Sequence, residues 1–206
     1  MSSRRLSRQD WTAAALGAIA DQGLSGLAVE PLAKRLGATK GSFYWHFRDR
    51  EELLRAALEQ WEREGTDAVI ATLGPVDDER ARLRQLLEAL FVPERTDVTS
   101  TEPGTASRHK SLDISITLSA SPAQPLVAEV VARVTARRVT YLAELLGVIG
   151  IPPEEAQRRA VLVFAAYVGY SRLARGALSV PHGSAAQELV DSLMRMLVFD
   201  GDQPQP

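Results

Sequence analysis

The chain has 206 residues, 45% hydrophobic and 24% charged, with 24 Lys and Arg against 26 Asp and Glu for a formal net charge of −2. This composition fits a folded protein and argues against a chain that coats nucleic acid through overall charge. There is no cysteine, which excludes a disulfide framework, a thiol nucleophile and a cysteine metal site and fits a reducing, cytoplasmic compartment.

Met1 to Arg8 is basic, but Asp10, Asp21 and Gln22 interrupt the segment that follows, so it does not read as a signal peptide. No run approaches the roughly 18 apolar residues of a membrane span. Arg4 and Arg5 have two readings, an arm reaching the minor groove or a solubilising tail. Up to Arg50 the basic residues Arg4, Arg5, Arg8, Lys34, Arg35, Lys40, Arg48 and Arg50 outnumber Asp10, Asp21, Glu30 and Asp49. Beyond that point acids prevail, so any anionic partner should meet the N-terminal end.

A first helix carries Gly17 in its interior. Pro31 suits the first turn of a second helix, where no N–H bond is forfeited. Leu32, Ala33 and Leu36 then recur at helical spacing, Gly37 offers the positive φ that ends a helix, and Thr39 can cap the next one. The turn is about three residues long, as in a helix-turn-helix. The following helix, roughly 40–47, is too short to stand alone and must be held by Phe43 and Phe47 on its inward side. Its other side offers Lys40, Ser42, Tyr44, Trp45 and His46, a set of donors suited to phosphate and base edges, while Gly41 lets a backbone come close.

From Asp49 the pattern is that of a larger helical body. Asp49 and Glu52 suggest a capping box, and Leu53, Leu54, Ala57, Leu58 and Trp61 begin a long helix predicted to run to about Leu73. Gly74-Pro75 should end it, and Asp77 or Asp78 should start another through Leu83, Leu86, Leu87, Leu90 and Phe91. Residues 93–111 are polar and rich in Pro, Gly, Ser and Thr, and read as a loop. Residues 112–119 alternate like a strand, but with no partner strand in the chain they are assigned to a short helix. Three helices follow, from Leu126 to about Val148, Pro153 to about Arg175 and Ala185 to about Val198. The last two are apolar around much of their circumference, which calls for burial on two sides and so for a partner subunit, with Ala165, Ala166, Gly169 and Ser171 allowing close approach.

Residues 8–58 resemble the N-terminal domain of the TetR family of transcriptional regulators. The shared features are Gly23, Leu32-Ala33 with Gly37, Lys40-Gly41 with Tyr44, His46 and Phe47, and the helix opening Asp49-Arg50-Glu51-Glu52-Leu53-Leu54. The resemblance implies that Thr39, Lys40, Tyr44, His46 and Arg50 meet the sugar-phosphate backbone of an operator, with Gly41, Ser42 and Trp45 nearest the bases. Trp45 departs from the Tyr or His more common there; its indole could donate one bond or press on a thymine methyl. Ala28 stands where the family usually has a capping Thr or Ser.

The resemblance further implies an all-α protein with a helix-turn-helix DNA-binding domain of three helices over 1–52. A larger helical domain over 53–206 would serve effector binding and dimerisation. The expected partners are a double-stranded operator, a small-molecule effector and a second copy joined through the last two helices, with no cofactor. Candidate effector contacts are Trp61, Phe91, Ile116, Tyr141, Phe164 and Tyr167, and Arg137, Arg138 or Asp113 could anchor a charged ligand.

Enzymatic readings lack support in the sequence: His46, His109 and His182 form no metal-binding pair, and no phosphate loop or nucleophile elbow occurs. The alternatives that stay open are a helical-bundle binding protein and a regulator that takes no small molecule.

Overall fold

The computed structural model describes residues 6–67, 78–92, 114, 117–118, 124–174, 180–181 and 183–198. Among these there is no strand. The α-helices are α1 (Arg8–Gln22), α2 (Val29–Arg35), α3 (Lys40–Tyr44), α4 (Arg50–Glu62), α5 (Glu79–Phe91), α6 (Pro125–Val148), α7 (Pro153–Ala174) and α8 (Ser184–Val198). The expected all-α class therefore holds. Two compact units are distinguished, Met1–Ile70 with Glu102–Val134 and Ala71–Thr101 with Thr135–Pro206.

In the first unit each helix is bounded by local chemistry. Ser7 and Asp10 form a reciprocal capping box at α1, which the sequence reading missed: the Asp10 N–H donates to Ser7 Oγ at 3.2 Å and the Ser7 N–H to Asp10 Oδ2 at 2.7 Å. Gly23, with φ +71°, ends α1. No side chain caps α2 at Ala28. At its other end Gly37 has φ +63°, its N–H donates to Lys34 O at 3.2 Å, and the Ala38 N–H donates to Ala33 O at 2.8 Å. These paired bonds close α2 as a Schellman motif, which requires the left-handed conformation at Gly37.

The core of this unit is built on Trp11, Phe43, Phe47, Leu53, Leu58 and Trp61, all fully buried. Trp11 meets Phe43 edge-on at 5.5 Å and Phe43 stacks on Phe47 at 5.6 Å. Ile114 and Leu118, together with Val127, Val130 and Val134 from the start of α6, join the same core. Ile114, Thr117 and Leu118, the described residues of 112–119, are helical, so tertiary context overrides the alternating pattern. Arg133 clasps Glu62 with two bonds of 2.9 and 2.7 Å, tying α6 to the end of α4.

Two expected helices need correction, one in geometry and one in length. The helix predicted to run to about Leu73 leaves α geometry after Glu62 and continues as a π-helical turn over Arg63–Asp67, and its expected end lies outside the described residues. Gly65, Thr66 and Asp67 are poor α-formers in succession, and wider turns occur where the α ladder is weakened. The recognition helix stops at Tyr44 rather than Phe47, because the chain tightens there: the His46 and Phe47 N–H groups both donate to Phe43 O, at 2.9 and 3.0 Å. Gly74-Pro75, the loop at 93–111, and Arg175 lie outside the described residues.

The second unit packs α5, the rest of α6, α7 and α8. Leu83, Leu87 and Phe91 from α5 are buried, as are Leu142 and Leu146 from α6, Ala160, Val163 and Tyr167 from α7, and Ala186 and Val190 from α8. Arg84 pairs with Asp191 at 2.6 Å and Gln187 donates to Glu88 at 2.7 Å, fixing α8 on α5. Arg159 donates to Leu197 O at 2.5 Å, supporting the end of α8 from α7.

Candidate nucleic-acid interface

The helix α3 has five residues, fewer than a helix needs to persist alone in water, so its neighbours must hold it. Thr39 caps it as expected, its Oγ1 accepting the Ser42 N–H at 3.2 Å. Phe43 and Phe47 enter the core, and the two sides of the segment are thereby divided.

On the outer side Thr39, Gly41, Ser42, Trp45 and His46 border, with Leu6, an open depression of about 350 Å³. Trp45 is 83% exposed and Tyr44 55% exposed, with the Tyr44 ring edge-on to Phe43 at 5.1 Å. Neither ring is claimed by the core, so both are open to a partner. A Cβ added at Gly41 would meet only Thr39 Oγ1, at 3.7 Å. The fold does not demand glycine there.

Lys40 and Arg50 carry bonds to distant parts of the chain that sequence reading did not foresee. Lys40 Nζ lies 3.0 Å from Glu30 Oε1, and that hydrogen bond and charge raise the lysine pKa. Both side chains are exposed, so the pair is weak and a phosphate can displace the carboxylate. Arg50 directs Nε to Leu27 O and Nη2 to Leu24 O, each at 2.7 Å, fastening the start of α4 to the segment before α2. Beside it Asp49 caps α4 by accepting the Glu52 N–H at 2.8 Å. That bond, then the Arg48 side chain, holds the Asp49 carboxyl below its usual range. Glu52 does not complete the expected capping box: its Oε2 accepts from the Arg48 N–H at 2.8 Å instead of from the cap residue. Arg4 and Arg5 lie outside the described residues.

The effector candidates divide between the units. Trp61 is part of the core around Trp11 and Phe43. Phe91, Phe164 and Tyr167 come together in the second unit, with ring centroids 6.2 Å apart for Phe91 and Tyr167 and 6.3 Å for Phe164 and Tyr167. Tyr170, which sequence reading passed over, adds a ring 5.4 Å from Phe91, while its hydroxyl donates to Pro181 O at 3.0 Å. Its place three residues after Tyr167 on α7 was the available signal. Burial raises the Tyr141 pKa and lowers that of Arg138, the latter opposed by the nearby Tyr167. Ile116 and Asp113 lie outside the described residues.

A short capped helix after a glycine turn, plugged into a core by two phenylalanines and displaying Lys40, Tyr44, Trp45 and His46, defines a helix-turn-helix DNA-binding head. Residues 12–57 match the family model for bacterial regulatory proteins of the tetR family. The chain is 34% identical over 89 residues to the HTH-type transcriptional regulator BetI of Yersinia pestis (strain Pestoides F). That match covers 42% of this chain and 44% of the relative, so the chain spans less than half the length of the curated relative.

Over 52 residues the chain is 38% identical to the HTH-type transcriptional regulator SrpR of Pseudomonas putida, covering 25% of this chain and 24% of that protein. Among solved structures, a transcriptional regulator from Rhodococcus sp. Rha1 superposes with TM-score 0.72 at 24% identity, covering 94% of this chain and 96% of the other. A regulator from Saccharomonospora viridis, in complex with choline, gives TM-score 0.67 at 18% identity with 92% of both chains covered. These last two likenesses establish the fold. Among the described residues no helix is long and apolar enough to cross a membrane.

Proposed function

We propose that the protein is a cytoplasmic homodimeric repressor that binds a palindromic operator through residues 1–52 and is released by a small molecule held within residues 53–206. The observation that carries the DNA reading is the two-sided α3 segment, with Phe43 and Phe47 sunk in the core and Lys40, Tyr44 and Trp45 exposed. Lys40, Thr39, Tyr44 and His46 meet phosphates, and Gly41, Ser42 and Trp45 read bases. Arg50 serves the interface from the start of α4, its side chain bonded to the Leu24 and Leu27 carbonyls.

Lys40→Ala and Tyr44→Phe are expected to weaken binding to a duplex selected from a randomised pool and to a scrambled duplex by similar factors, without changing the melting temperature. Lys40→Ala should also lower the slope of log K against log salt by about one. A variant that altered sequence preference and kept the wild-type slope would overturn its assignment to phosphate.

The aromatic group of Phe91, Phe164 and Tyr167 supports a ligand seat in the second unit, and the choline held by the Saccharomonospora viridis neighbour is consistent with a fold that accepts small molecules. An effector that favours a conformation with the heads unsuited to the operator weakens DNA binding by the same free energy with which DNA weakens effector binding. For a compound found by thermal-shift screening, Phe164→Ala should move the midpoint of DNA release several-fold while leaving compound-free DNA affinity within a few-fold. Identical release curves would remove Phe164 from the seat.

A further inference from the structure

The outer face of α3 needs more than its cap and its two phenylalanines. A cap fixes the N-terminal end, and the phenylalanines fix depth, but the last carbonyls of so short a helix lack partners within it. Arg8, the first residue of α1, lies at that end. Its Nη1 donates to the carbonyl of His46 at 2.5 Å, its Nη2 to Glu52 Oε1 at 3.0 Å, and its Cζ sits 4.2 Å from the centre of the Phe47 ring. Glu52 in turn accepts the Arg48 N–H at 2.8 Å. One guanidinium thus joins the start of α1, the end of the recognition segment and the first turn of α4.

We propose that Arg8 is a positioning residue that holds the recognition segment at its C-terminal end, by bonding the His46 carbonyl, covering the Phe47 ring and pairing with Glu52, and so sets where Trp45 and His46 meet DNA. The proposal rests on the DNA-reading assignment of α3. A cation just past the last turn of a helix is favoured by the helix dipole, and the guanidinium carbon sits over the Phe47 ring while its nitrogens make the two bonds. A lysine has one point charge and cannot do all three. The role differs from that of a phosphate ligand because Arg8 acts through the aim of other side chains.

Two measurements test it. Hydrogen exchange without DNA reads the hold directly: in Arg8→Gln the N–H groups of His46 and Phe47 should exchange at least about tenfold faster, while those of Ala57 and Leu58 within α4 keep wild-type rates. Unchanged exchange at His46 and Phe47, or faster exchange throughout α4, overturns the proposal.

In DNA binding, Arg8→Gln and Arg8→Lys should both lose about tenfold or more on the selected duplex and less than about twofold on a scrambled one, with an unchanged salt slope. Recovery by Arg8→Lys, or a slope lowered by about one with equal loss on both duplexes, would make Arg8 a phosphate ligand and overturn it. A wild-type protein that selects no duplex would defeat the DNA reading itself, a result separate from the exchange measurement.

Discussion

Phe43→Ala is expected to unfold the head and abolish binding to every DNA sequence. The Phe43 ring is fully buried, edge-on to Trp11 at 5.5 Å and stacked on Phe47 at 5.6 Å. Removing a buried phenylalanine side chain costs about 3–5 kcal/mol. A head of this size has a total stability of only a few kcal/mol at about 0.05–0.15 kcal/mol per residue, so the loss takes most of it. The melting transition of the head should fall by about 15 °C or more, with loss of the near-ultraviolet signal of Trp11. Tyr44→Phe supplies the contrast one residue away: its ring is exposed, so melting should be unchanged while DNA binding weakens. Equal melting of Phe43→Ala and wild type would mean that Phe43 does not hold the recognition helix.

That contrast between neighbours also shows how far the sequence could be read. The alternation of Phe43 and Phe47 with Lys40, Tyr44 and Trp45 is a local pattern, as are the Gly37 turn and the Thr39 cap, and each is found where its chemistry requires. The π-helical turn after Glu62 was less legible, because apolar spacing continues past it and only the run Gly65-Thr66-Asp67 marks the change.

Long-range polar choices were not legible at all. The Arg50 side chain finds the carbonyls of Leu24 and Leu27, and Arg8 finds that of His46, through the folding together of segments 23 to 38 residues apart. A sequence shows that an arginine is present but not which of many acceptors the packing brings to it. The strand-like alternation of 112–119 is the converse case, where a local pattern yields to burial of Ile114 and Leu118 in a helical core.

The second large effect is expected at α7. Val161, Leu162 and Leu173 are exposed on this helix, with exposed Ala165, Ala166 and Gly169 between them, and Met196 is exposed on α8. Spacings of three and four place 158, 162, 165, 166, 169 and 173 along one stripe, apolar except for Arg158, with small residues at its centre where another helix can come close. Leu162, 68% exposed in the single chain, is central enough to be buried by a second copy.

In a two-fold dimer Leu162→Glu acts twice. Loss of about 1.5–3 kcal/mol per leucine, with two carboxylates brought together, should weaken dimerisation about 100-fold or more. Sedimentation velocity should then report a monomer with wild-type helix content, because the substituted side chain faces solvent within one chain. Operator affinity should collapse with the dimer, since one head reaches one half-site and two heads span half-sites about 34 Å apart or a multiple of that. Val148→Glu serves as the control: Val148 is 69% exposed at the end of α6, off the α7 stripe, and its variant should remain dimeric and bind DNA normally. A Leu162→Glu protein that still sediments as a dimer and holds its operator would move the subunit contact away from α7.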